Sequence, residues 1–156
     1  MKPIPTDVAN DQTTDPYRLL FEHTGDMACT LDLRGAFTAV NPAGERLTGY
    51  SEAELIGTSA ITLIAEESRA EAVRQFERRL ASGAIGSADE SMLVARDGTR
   101  VPIEIRSTTF TDAAGVAVGV LGLVHDISER RAAATALLLS EERLRNAFDD
   151  RSEDTV

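Results

Sequence analysis

The sequence has 156 residues, 42% of them apolar and only 4% aromatic, which sizes it for one modest core of about 100 to 130 residues plus short tails. Sixteen basic against 26 acidic side chains give a net charge of −10, a field that repels phosphate backbones and anionic headgroups and so argues against nucleic acid and membrane surfaces as partners. A single cysteine, Cys29, excludes an internal disulfide framework and a zinc site on paired cysteines; with no apolar run of about 18 residues and no secretory signal, a reducing, cytoplasmic setting is expected. Among the basic residues only Lys2 is lysine, a bias that with abundant Ala and Gly points to a GC-rich bacterial genome.

Residues 1–15 are rich in Pro, Asp and Thr without apolar periodicity and read as a flexible lead. Tyr17, Leu20, Phe21 and Thr24 then fall at helical spacing, a short docking helix ended by Gly25. Met27 to Leu33 and Ala36 to Val40 flank the turn dipeptide Arg34-Gly35 and predict a β-hairpin. Asn41-Pro42 sets a helix start, the Asn side chain accepting at the N-cap and the proline tolerated at the first helical position. Gly49 stops that helix. Ser51 and Glu54 form a capping box for a second short helix, with Gly57 as its stop.

A longer helix is predicted from about Glu66 to Ser82, with Glu66 and Glu67 in its first turn, Arg78 and Arg79 in its last, and Gly83 beyond. Val73, Phe76 and Leu80 are its expected buried stripe. The period then changes from 3.6 to 2. Ser91–Ala95 and Val101–Ser107 flank Asp97-Gly98, and Val101, Ile103 and Ile105 alternate with Pro102, Glu104 and Arg106. Val116 to Ile127 supplies a further strand after the turn that ends in Gly115. The expected class is therefore α+β: two strands, helices, then three antiparallel strands in a five-stranded sheet with helices on one face. From Ser128 to about Phe148, Ala134, Leu137, Glu141, Leu144 and Phe148 recur at spacings of 3 and 4, a stripe that leaves the domain and needs a partner.

Asn41-Pro42 through Gly49-Tyr50 to Glu54-Leu55-Ile56-Gly57, the Asp97-Gly98 hairpin, and His125-Asp126-Ile127-Ser128-Glu129-Arg130 together resemble the PAS domain family, small sensory modules of signalling proteins. The resemblance spans Tyr17 to Arg131 and implies a PAS domain over residues 16–131, strand order 2-1-5-4-3, and a pocket between sheet and long helix. Residues 132–156 follow as an amphipathic signalling helix and tail. Within them Leu144-Arg145-Asn146-Ala147-Phe148-Asp149 repeats the pattern of Tyr17-Arg18-Leu19-Leu20-Phe21-Glu22, either the start of a second, truncated repeat or a common helical pattern met twice.

The chemistry-bearing residues are few: His23, His125 and Cys29, with no Ser/His/Asp ordering, phosphate loop or metal-ligand spacing. A non-catalytic module is expected. Cys29 reads as a small buried hydrophobe and His23 as a helix-end cap. The resemblance implies an axial His on the long helix for haem and a Cys just before it for a photoactive flavin adduct; neither position carries one, so neither cofactor is expected, and the ligand stays unassigned. The candidate pocket is Leu63, Phe76, Leu80, Val94, Ile103 and Leu123, together with His125 if it faces inward. These residues either surround a ligand or close the space themselves. Asp126, Ile127 and Arg130 are the candidate signal-transfer residues, Asp126 capping the exit helix and pairing with an Arg there. Leu20, Phe21, Leu137, Leu144 and Phe148 are the candidate homodimer contacts. The implied partner in cis is an effector of histidine-kinase or diguanylate-cyclase type; the competing reading is a constitutive dimerisation module with a self-filled pocket.

Overall fold

A computed structural model describes residues 15–82 and 88–153. The expected lead before Asp15 and the helix stop at Gly83 lie outside the described residues. In chain order, α1 (Pro16–His23) is followed by β1 (Met27–Leu31), β2 (Phe37–Val40), α2 (Pro42–Thr48) and α3 (Glu52–Leu55). Two 3-10 turns, Ala60–Leu63 and Glu66–Ser68, lead into α4 (Arg69–Ser82), then β3 (Asp89–Val94), β4 (Arg100–Thr111), β5 (Ala117–Asp126) and α5 (Ser128–Glu153). The strands form one antiparallel sheet in the order β2-β1-β5-β4-β3.

The predicted punctuation sits where local chemistry puts it. The Asp15 side chain caps α1 through Tyr17 N–H, and the Ser51–Glu54 capping box opens α3. Gly49 closes α2 at φ +78°, a left-handed position where a Cβ would be strained. Three boundaries differ from expectation by three residues or more. The long helix starts at Arg69 because Glu66–Ser68 is wound as 3-10. β4 continues to Thr111 because it pairs with β5 as far as Ala117. The exit helix runs past Phe148 to Glu153.

Asn41, fully buried, ties the first hairpin to α2. Its Oδ1 accepts from Ala28 N–H and Gly44 N–H, and its Nδ2 donates to the Asp26 carbonyl, each at 2.9 Å. The core lies on the inner face of the sheet, where Met27, Cys29, Leu93, Val101, Ile103 and Val124 meet Phe37, Leu55, Leu63 and Ile64. Among the described residues no helix is long and apolar enough to cross a membrane.

Candidate functional site

A cavity of about 420 Å³ lies between the inner face of the sheet and α4. Its floor is the alternating set Met27, Cys29 and Leu31 from β1, Leu93 from β3, Ile103 and Ile105 from β4, and Val120 and Val124 from β5; Ala72, Phe76 and Leu80 cover it. The space survives because Gly122, at the centre of the floor, has no side chain to fill it, and the neighbouring position is taken by the Cys29 sulfur, 3.2 Å from where a Cβ would stand. Burial pushes the Cys29 thiol up to about 12, so it stays protonated and packs as a hydrophobe.

Of the sequence-predicted pocket residues, Leu63, Phe76, Leu80 and Ile103 line this cavity, while Val94, Leu123 and His125 do not. The cause is strand parity. Ile103 and Ile105 stand opposite Asp126 and Val124, so the inward set on β5 is Val120, Gly122 and Val124, which turns Leu123 and His125 to the outer face. Leu123 is 46% exposed. On β3, Leu93 takes the inward position and Val94 the outward one. On α4 the expected stripe of Val73, Phe76 and Leu80 lines the cavity, Val73 staying 42% exposed, and the packed face extends beyond it to the buried Arg79.

Arg79 organises the polar end of the cavity. Its Nε–H donates to Ser107 Oγ at 3.0 Å, and its guanidinium stands 3.6 Å from the Asp89 carboxylate. Asp89 and Ser107 both line the cavity, from the first residue of β3 and the middle of β4. Sequence reasoning missed this cluster, since a helical Arg beside other arginines reads as solvated.

A second cluster roots the exit helix. The Asp126 carboxylate accepts from Ser128 N–H at 2.8 Å and from Ser128 Oγ–H at 2.5 Å, the expected cap. The expected pairing of Asp126 with an Arg is not found. Arg130 reaches Glu104 at 3.1 Å and Glu90 at 3.3 Å, and Arg131 reaches Glu90 at 2.9 Å. Glu90 and Glu104 face each other across β3 and β4 on the outer face, so without the arginines two carboxylates would stand side by side. The hydrogen bond from Arg130 holds the Glu104 carboxyl below its ordinary range. Ile127 is 1% exposed and donates its N–H to the Pro102 carbonyl at 3.0 Å, which fixes the strand-to-helix corner on β4.

His125 pairs on the outer face with Asp26, Nδ1 to Oδ1 at 2.8 Å, and this hydrogen bond raises the imidazole above its ordinary value. The pair joins the end of β5 to the segment that follows α1. His23, in the last turn of α1, is exposed. Neither histidine lines the cavity, α4 carries none, and the only thiol there belongs to β1 and is held protonated. These residues do not fit histidine ligation of haem or a thiol–flavin adduct. Among the described residues no group of three His, Cys, Asp or Glu is placed to hold a metal ion.

The predicted dimer residues stand apart from this site. Leu20, Leu137, Leu144 and Phe148 are exposed, Phe148 to 73%, while Phe21 is half-buried.

Solved structures share this architecture. The PAS domain of a protein from Colwellia psychrerythraea superposes with a TM-score of 0.67 at 22% identity, over 72% of this chain and 95% of that one. A domain of a sensory box sensor histidine kinase/response regulator from Geobacter sulfurreducens gives 0.59 at 24% identity, over 70% and 90%. The N-terminal domain of a diguanylate cyclase with PAS/PAC sensor from Marinobacter aquaeolei gives 0.60 at 19%, over 68% and 98%. No curated protein matches the sequence. The PAS fold profile matches residues 16–127, and with the observed strand order it establishes that the chain belongs to the PAS family.

Proposed function

We propose that the chain is a non-catalytic sensory module that holds a small molecule in its cavity, dimerises through its flanking helices and relays occupancy to an effector domain in cis. The observation that carries this reading is an apolar cavity of about 420 Å³ whose polar end and the root of α5 meet on one edge strand. Strand alternation turns Asp89 of β3 toward the cavity and its neighbour Glu90 toward Arg130 and Arg131 of α5. A displacement of β3 by a ligand therefore pulls on the helix root, with Asp126 and Ile127 as the corner about which it turns. The Geobacter relative, from a sensor histidine kinase/response regulator, and the Marinobacter relative, from a diguanylate cyclase, support an output of histidine-kinase or diguanylate-cyclase type. A self-filled pocket, the competing reading, requires side chains where this cavity is open.

The dimer part rests on α5. Leu137, Leu144 and Phe148 leave a strip on the order of a few hundred Å² in water, worth several kcal/mol at about 25 cal/mol per Å² before association costs. The test is Ala72→Phe, which projects a ring from α4 into the cavity. Hydrogen exchange at residues 128–134 should change in this variant; exchange identical to wild type in a folded Ala72→Phe protein would disconnect the cavity from the exit helix and overturn the relay.

A further inference from the structure

We propose that the cavity selects an uncharged, largely apolar molecule carrying one hydrogen-bonding group, a hydroxyl, amide or ring N–H, seated with that group at the Asp89–Ser107 end. The inference rests on the ligand-binding reading above and names the class of ligand for that site.

The volume sets the size. About 420 Å³ corresponds to roughly 14 molecules of liquid water at ~30 Å³ each, room for a fused-ring or short-chain body of about that many heavy atoms. The walls set the body. Phe76, Leu80, Leu93, Ile103 and Val120 present only carbon, so most of the ligand surface must be apolar.

The polar end sets the head group. The Arg79 guanidinium is 3.6 Å from the Asp89 carboxylate, within ion-pair reach but beyond hydrogen-bond length, so the carboxylate keeps acceptor positions for a ligand donor. Ser107 Oγ already accepts from Arg79 Nε–H, which leaves its hydroxyl hydrogen to donate. One acceptor and one donor, side by side, complement a hydroxyl or an amide edge.

The same pair rejects net charge. An anion seated there gains from Arg79 but is opposed by Asp89, and a cation meets the reverse, so a charged head group loses its water without gaining an uncancelled partner. The other charged residues on the lining, Arg34 and Glu77, are exposed and also opposite in sign.

The test is calorimetric titration of the full chain with four probes of one shape: 2-naphthol, 2-methylnaphthalene, 2-naphthoate and 2-naphthylmethylammonium, at neutral pH. Binding of 2-naphthol about tenfold tighter than the other three is the expected result. In Asp89→Asn the carboxylate that opposes an anion is gone while the Arg79 guanidinium remains, and 2-naphthoate should gain on 2-naphthol; circular dichroism checks the fold, and the wild-type ranking decides the matter should the variant not fold. A charged probe, or the methyl compound, binding wild type as tightly as 2-naphthol would overturn the ligand class and leave the cavity a binding site. Failure of all four probes to bind would overturn both the class and the ligand-binding reading.

Discussion

Asn41→Ala should cost far more than the loss of an ordinary helix cap. A side-chain cap at an exposed helix start contributes about 1 kcal/mol. Asn41 caps α2 through Gly44 N–H, but it also accepts from Ala28 N–H of β1 and donates to the Asp26 carbonyl, with no exposed surface of its own. Three bonds at a net of about 1 kcal/mol each give a loss of about 3 kcal/mol, with the Ala28 N–H of β1 left orphaned in a buried position. With a urea slope of about 2 kcal/mol per molar, the midpoint should fall by about 1.5 M. Ser51→Ala is the comparator: it removes one hydroxyl from the part-exposed capping box of α3 and should cost about 1 kcal/mol. Asn41→Asp keeps the acceptor but loses the donor to Asp26 and buries a charge, so it should not restore stability. Urea unfolding of the full chain followed by circular dichroism measures all three. Equal losses for Asn41→Ala and Ser51→Ala would refute the reasoning, because the bonds to β1 would then contribute nothing.

Asp126→Ala should leave the sheet intact, cost about 1 kcal/mol through the lost cap and raise exchange at residues 128–134; unchanged protection there would remove Asp126 from the helix root. Gly44→Ala places a Cβ 2.5 Å from Val40 Cγ1 and 3.0 Å from Met27 Cγ, so it should destabilise by about 1 to 3 kcal/mol despite alanine's better helix propensity, and a thermal melt at or above wild type would contradict the packing. Because Asp26 raises the His125 imidazole, that pair stabilises the fold fully below the ordinary histidine value near 6.5 and ceases to do so as pH rises through the raised one. An NMR titration should show His125 dropping toward its ordinary value in Asp26→Asn; no change would mean the pair does not form in solution. A chain ending at Arg131 should scatter light as a monomer at tens of micromolar where the full chain gives twice its mass, and equal dimer populations would move the interface off α5.

Chain-local chemistry carried most of the architecture into the sequence. Asn41-Pro42, the Ser51–Glu54 box, Asp97-Gly98 and the switch from period 3.6 to period 2 each act within a few residues, and each marks an element that forms where expected. β4 alternates cleanly because one face of it meets solvent, and its inward set of Val101 and Ile103 could be read directly. β5 could not be read that way. Val120, Leu121, Leu123 and Val124 are apolar on both faces of a central strand, so composition alone does not choose between Leu123 and Val124. The pairing register does: once Ile105 is known to face in, its partner Val124 must face in too, and Leu123 and His125 face out.

The residues that carry the site fail to announce themselves for a related reason: their partners lie far along the chain. Nothing near Arg79 distinguishes it from Arg78, yet one is buried against Ser107, 28 positions on, and the other pairs with Glu71 on the helix surface. Hydrophobicity draws the packed stripe of α4 through Val73, Phe76 and Leu80, and all three line the cavity, but the packed face also takes in Ala72 and the buried Arg79. Its burial is supported by β3 and β4, which bring a carboxylate and a hydroxyl to the guanidinium; burying an arginine without partners costs several kcal/mol. The same logic holds at the exit helix, where Arg130 answers two carboxylates that only β3–β4 pairing sets side by side, so Asp126 is left to cap the helix and the arginine to fasten it to the sheet.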